Sequence, residues 1–176
     1  MHLAPVARET PGRSAVAEGF IGLTPQGLVR EWSGTGGEIA LIGPSGAPLA
    51  GAPRRCDAIV LNEFELAPCA GLIASARAGG AVVAVTAEAA PTRVLLPAGD
   101  ELGAPVPVVE NPRDDVGAGD VFAAAFFLAV YEGRPAGDAA AFANATAAVR
   151  IAGMGASAIG DLAAVEERLR TTVAPE

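Results

Sequence analysis

Short apolar, β-branched runs bounded by glycine and proline recur along the chain, at residues 20–23, 38–42, 58–61, 81–86, 93–96 and 106–109. That pattern predicts strands. Longer alanine-rich stretches alternate with several of them, at 66–78, 121–132, 137–152 and 161–171, each long enough for about three helical turns. Alternating strands and helices predict an α/β fold. From Val121 to Tyr131 nearly every position is apolar, which predicts a central helix buried on most sides. Gly133 and Pro135 should end it, and Gly153 with Gly155 should end the next, because glycine accepts the left-handed cap and proline cannot continue a helix. The last helix is more polar, and Glu166 and Arg170 stand at the four-residue spacing of a surface ion pair. Residues 33–37 and 43–52 are loop-like in composition, and no internal repeat is visible.

A chain of 176 residues suits one domain, taken here as residues 1–176. Although 51% of it is hydrophobic, the apolar stretch at 121–131 is far shorter than the ~20 residues a bilayer requires, so a soluble protein is expected. The start, Met1-His2-Leu3-Ala4-Pro5, has no basic segment leading into a long apolar core, which leaves the cytoplasm as the expected location. Cys56 and Cys69, with His2 the sole histidine, cannot build an ordinary zinc site and are expected to be buried thiols. All twelve basic residues are arginine, which removes lysine-dependent phosphate loops and Schiff-base chemistry. The net charge of −8 argues against a nucleic-acid surface.

Asp114-Asp115-Val116-Gly117-Ala118-Gly119-Asp120 lies between a predicted strand and the buried helix. Two glycines allow a tight turn with converging amides, and the first turn of the helix adds unpaired N–H donors and a positive dipole end. A transferring phosphoryl group fits there, with Asp120 placed to accept a proton from an attacking hydroxyl. Read in isolation, the same segment is a glycine-rich turn with an acidic helix cap. Upstream, the strand at 58–61 runs into Asn62-Glu63-Phe64-Glu65. An amide and a carboxylate at a strand end can hold a hydrated magnesium ion, which keeps most of its waters. Asn62 and Glu65 also have the spacing of a capping box.

These two motifs, in this order, resemble those of the ribokinase-like (PfkB-type) carbohydrate kinases, whose second signature is usually written Asp-Thr-x-Gly-Ala-Gly-Asp; the run from Val121 to Phe126 continues that pattern. The resemblance implies a three-layer ribokinase-like α/β sheet with flanking helices, and ATP and magnesium as cofactors. It implies that Gly117, Ala118 and Gly119 form an anion hole, that Asp120 is the catalytic base, and that Asn62 and Glu65 order magnesium and phosphate. Thr86, Asn144 and Gly155 match the family's nucleotide side, although Asn144 also suits plain helix packing. Asp114 matches a residue that in some relatives belongs to a monovalent-cation loop. Both motifs follow strands, so Asn62, Glu65 and Asp120 are expected to converge.

The chain departs from the family in three ways. Where a Thr-x-Gly-x-x-Gly turn is usual it has Thr86-Ala87-Glu88-Ala89-Ala90, which puts an acid where phosphate should approach. Asp115 replaces the usual threonine. The resemblance covers about residues 2–169 and implies only the nucleotide-binding half, without the motifs of the amino-terminal half that supplies the sugar site, and Thr24 to Arg30 looks like a local motif of short relatives. A sheet cut at that point has an unpaired edge, which a homo-oligomer would cover. Two functions follow. One is ATP-dependent phosphorylation of a hydroxyl on a small sugar or nucleoside-like substrate. The other is a degenerate, non-catalytic domain that binds a nucleotide or serves as an interaction module.

Overall fold

The structure is a computed structural model that describes residues 1–6, 19–32, 37, 39–44 and 49–173. Of the stretches expected to be loops, residues 33–36 and 45–48 lie outside the described residues, as does Glu38 of the expected strand. The chain is organised as two compact units, Met1–Val85 with Leu95–Asp100, and Thr86–Val94 with Glu101–Glu176. Both mix strands and helices, as the alternation of patterns predicts.

The first unit carries strands β1 (His2–Leu3), β2 (Gly22–Leu23), β3 (Arg30–Trp32), β4 (Ile39–Leu41) and β5 (Ala58–Asn62), the helix α1 (Ala70–Ala78) and most of β6 (Val82–Ala87). Its sheet order is β1-β2-β5-β6. β1 pairs with β2 and β2 with β5 in parallel. A parallel strand covered on both faces should be apolar throughout rather than alternating, and Ala58, Ile59, Val60 and Leu61 are all buried. α1 buries Leu72, Ile73 and Ala76. It begins later than the expected residue 66: a 3-10 turn at Glu63–Glu65 and turns at residues 66–69 come first. Gly80 closes it at φ 93, with the amides of Gly80 and Ala81 bonded back to the carbonyls of Arg77 and Ala76.

The core of this unit gathers Leu3, Ile21, Leu23, Ile59, Leu61, Val83 and Val85, joined by the returning Leu95. Arg77 ties that return down by donating from Nε and Nη2 to the Leu96 carbonyl at 2.9 and 2.7 Å. Both cysteines are buried thiols, as expected. Burial is the main cause that pushes Cys56 up to about 11 and Cys69 up to about 12, so neither is a nucleophile at neutral pH. β3 and β4 form a separate antiparallel ribbon in which Trp32 faces Ile39.

The second unit holds adjacent strands β7 (Ala90–Leu95) and β8 (Glu101–Ala104) and the helices α2 (Ala118–Tyr131), α3 (Ala136–Ile151) and α4 (Leu162–Val173). α2 is the central helix that the apolar run predicts: Phe122, Ala123, Ala125, Phe126, Phe127 and Ala129 are buried. Small residues on α3, among them Ala139, Ala140 and Ala143, let it pack closely on α2. Gly133, at φ 83, ends α2 as predicted, with its own amide on Val130 and that of Arg134 on Ala129.

Two further expectations are corrected here. Residues 106–109 form no strand; the strand is β8, just before them. Pro105 and Pro107 supply no N–H, so this β-branched run cannot complete a ladder. On α4, Arg170 pairs with Glu167 rather than Glu166, a three-residue instead of a four-residue spacing. Among the described residues no helix is long and apolar enough to cross a membrane.

Candidate functional site

The start of α2 is built by its glycines. Gly117, the residue before the helix, sits at φ 79, a left-handed conformation that costs a residue with a Cβ about 1–2 kcal/mol. The turn is closed by the Ala118 amide donating to Asp115 O at 3.0 Å, and the helix proper opens with the Val121 amide on Gly117 O at 3.0 Å. Among the described residues nothing accepts from the amides of Gly117, Gly119 or Asp120. They form a patch of unsatisfied donors at the positive end of a 14-residue helix. Asp120 is exposed on the first turn of that helix.

Ala118 and Gly119 line one side of a cavity of about 220 Å³. Its walls include Val106, Pro107, Phe122, Ala148 and Ile151, and its polar lining comes from Thr86, Glu88, Thr92 and Asn144. That volume is below the roughly 300 Å³ typical of sites for drug-sized ligands, so the cavity has room for only a part of a molecule of that size. An apolar slot beside free amides suits a flat base or a sugar next to an anion. Four expected site residues, Thr86, Ala118, Gly119 and Asn144, thus meet at one cavity. Glu88 also lines the cavity, in a turn where its φ of 44 makes it the only described non-glycine residue with positive φ. The glycine usual at this place in the family would adopt that conformation without strain.

Asn144 is buried and fully engaged. Its Oδ1 accepts from Thr92 Oγ1 at 2.9 Å, while Nδ2 donates to Ala104 O at 3.3 Å and Pro105 O at 2.9 Å. It therefore braces the cavity wall by joining α3 to β7 and to the end of β8. These bonds are those of a packing residue, and Asn144 also lines the cavity, so both roles read from sequence meet at this position. Gly155 lies outside the cavity lining; at φ 65, it donates its amide to Asp114 Oδ2 at 2.9 Å.

Asp114 is the hub of a second cluster. Its carboxylate also accepts from the Val116 amide at 3.1 Å and from Arg150 Nη2 at 2.8 Å. Arg150 goes further, donating to Asp114 O at 3.2 Å and to Val116 O at 2.7 Å. This arginine is only 5% exposed. Its hydrogen bond, then those of the Gly155 and Val116 amides, holds the Asp114 carboxyl below its ordinary value. The amides of Arg113 and Asp114 donate to Ile151 O, which completes the attachment of the signature loop to the end of α3. Sequence reading missed Arg150, because an arginine near a helix end ordinarily reads as a solvated charge.

In the first unit, Asn62 and Glu65 meet each other. The Glu65 amide donates to Asn62 Oδ1 at 3.1 Å and the Asn62 amide to Glu65 Oε2 at 3.0 Å, a complete capping box. The Glu65 carboxyl is buried, and burial raises its pKa against the opposing pull of the Asn62 hydrogen bonds and Arg30. Among the described residues no cluster of three acidic, histidine or cysteine side chains could cage a metal. Asn62 Oδ1 and Glu65 Oε2 are both engaged by the backbone amides of the capping box.

No curated protein matches the chain by sequence. Solved structures similar to it include a Burkholderia thailandensis nucleoside kinase in complex with inosine, at 20% identity and TM-score 0.58, over 67% of this chain and 41% of that one. An Arabidopsis thaliana ribokinase complexed with ribose and ATP aligns at 19% identity and TM-score 0.60, over 86% and 47%. A Methanocaldococcus jannaschii nucleoside kinase aligns at 14% identity and TM-score 0.63, over 89% and 50%. The chain therefore spans half or less of the length of these proteins. The family described as pfkB family carbohydrate kinase matches residues 44–161, a segment that contains both motifs. With two thirds of its length inside that match and a ribokinase-like α/β fold, the chain belongs to the PfkB carbohydrate kinase family.

Proposed function

We propose that the chain is the nucleotide-binding half of an ATP-dependent kinase that phosphorylates a hydroxyl of a small sugar or nucleoside-like substrate. The observation that carries this reading is the start of α2, where three unsatisfied amides, left-handed Gly117 and Asp120 stand beside an apolar cavity. Thr86 and the apolar walls would receive the nucleoside part, with the free amides of Gly117 and Gly119 on the phosphoryl oxygens, while the Ala118 amide, held by Asp115 O, fixes the turn between them. Asp120 would take the proton of the attacking hydroxyl, and Asn62 with Glu65 would hold a hydrated magnesium ion. When bound, magnesium would neutralise phosphate charge. The relatives whose complexes contain inosine, ribose or ATP support these substrate and cofactor classes.

A second reading is a nucleotide-binding domain without turnover. Glu88 favours it, because an acidic residue in the cavity lining repels phosphate. Titration calorimetry of the chain with magnesium-ATP, followed by ADP release over a panel of sugars and nucleosides, separates the two. Saturable binding that Gly117→Val abolishes is expected, since a β-branched residue cannot hold φ 79. Asp120→Asn should leave affinity within a few-fold and remove whatever ADP release the parent shows. Binding without turnover on the whole panel selects the second reading, and no binding overturns both.

A further inference from the structure

Three oxygens of the signature loop, Asp114 O, Asp114 Oδ2 and Val116 O, converge on one guanidinium, that of Arg150. Two carbonyls and a carboxylate around one point are what a dehydrated monovalent cation requires in place of its water shell. Here that point is taken by a group that is permanently charged and reaches all three oxygens within 3.2 Å. Asp114 Oδ2 has a further donor, the Gly155 amide. A second cation at the same oxygens would face the guanidinium at contact distance, a repulsion that burial strengthens. The oxygen set therefore does not fit a monovalent cation as well as Arg150.

We propose that Arg150 is a built-in cation: it takes the place a monovalent cation would need under the signature loop, and the chain binds none there. Arg150 is then a positioning residue. By fixing the Asp114 and Val116 carbonyls it sets the direction in which the peptide enters Gly117, and with it the aim of the free amides at the start of α2.

The test is thermal unfolding of the full chain in potassium, sodium or choline chloride at equal ionic strength. The parent should melt at the same temperature in all three. Arg150→Ala should melt lower in choline and regain part of the loss selectively in potassium or sodium, a response that lost packing alone would not produce. Preferential stabilisation of the parent by potassium or sodium, or an Arg150→Ala variant with no selective recovery, would overturn the proposal. Should that variant not fold, thallium(I) titration of the parent followed by thallium NMR decides: no saturable site supports the inference, and a site that Asp114→Asn abolishes sinks it. Magnesium-ATP affinity of the parent should likewise be equal in potassium and choline. This last arm rests on the nucleotide reading; absence of nucleotide binding would refute that reading while the melting and thallium measurements still judge Arg150.

Discussion

Glu88 combines two costs at one position. Its φ of 44 strains an L-residue by about 1–2 kcal/mol, and it brings an acid to the lining of the cavity that Gly119 also lines. Glu88→Gly removes both and adds back about 0.5–1 kcal/mol of backbone entropy in the unfolded chain. The variant should be as stable as the parent or slightly more so, and should bind magnesium-ATP several-fold more tightly; calorimetry showing unchanged or weaker binding would remove Glu88 from the phosphate path. Two other carboxylates oppose each other in their response to pH. Asp114 is held below its ordinary 3.8 by Arg150 first, so its stabilisation is complete above 3.8 and is lost as pH falls through the lower folded value. Glu65 is raised above 4.5 by burial, so its contribution is complete below 4.5 and is lost as pH rises through the higher folded value. In urea midpoints measured across acid pH, Asp114→Asn should flatten the acid limb and Glu65→Gln the opposite one. Gly117 and Asp120 were legible in the sequence because glycine and a first-turn acid have local meanings. Arg150 was not, since its three acceptors lie 34 to 36 residues away in sequence.

At the level of elements, Gly27 accounts for part of a motif that sequence alone leaves unexplained. A Cβ there would stand 2.1 Å from the Pro5 carbonyl oxygen, and the Gly27 amide donates to that same oxygen at 3.0 Å. Backbone meets backbone, so nothing can swing aside. Gly27→Ala should destabilise by about 1–3 kcal/mol or more, seen as a lower urea midpoint. A neutral result would mean that this turn does not pack against residues 5 and 6. Helices were the elements best read from sequence, because α2 and α3 carry long apolar patterns closed by glycines. Short strands were read less well. β3 is Arg-Glu-Trp, with no apolar alternation to see, and is set by its pairing with β4. The misread run at 106–109 shows the converse, β-branched residues denied a partner strand by Pro105 before them and Pro107 among them.

Across the whole molecule, the α/β class and the order of the two motifs were readable because each rests on local pattern, whereas the division into two units was not. That division depends on the chain leaving the first unit after Val85, returning from Leu95 to Asp100, and leaving again. The return carries Leu95 into the core and presents the Leu96 carbonyl to Arg77. A fragment ending at Val85 should therefore lack cooperative thermal unfolding, and one ending at Asp100 should regain it; equal melts for both would deny the returning segment its role. The same feature governs what happens on the ribosome. Synthesis supplies Met1–Val85 first, but the last piece of that unit is translated only after residues 86–94, which belong to the other. The nascent chain must hold the first unit unfinished, with the places for Leu95 and the Leu96 carbonyl still open, until residue 100 has cleared the exit tunnel.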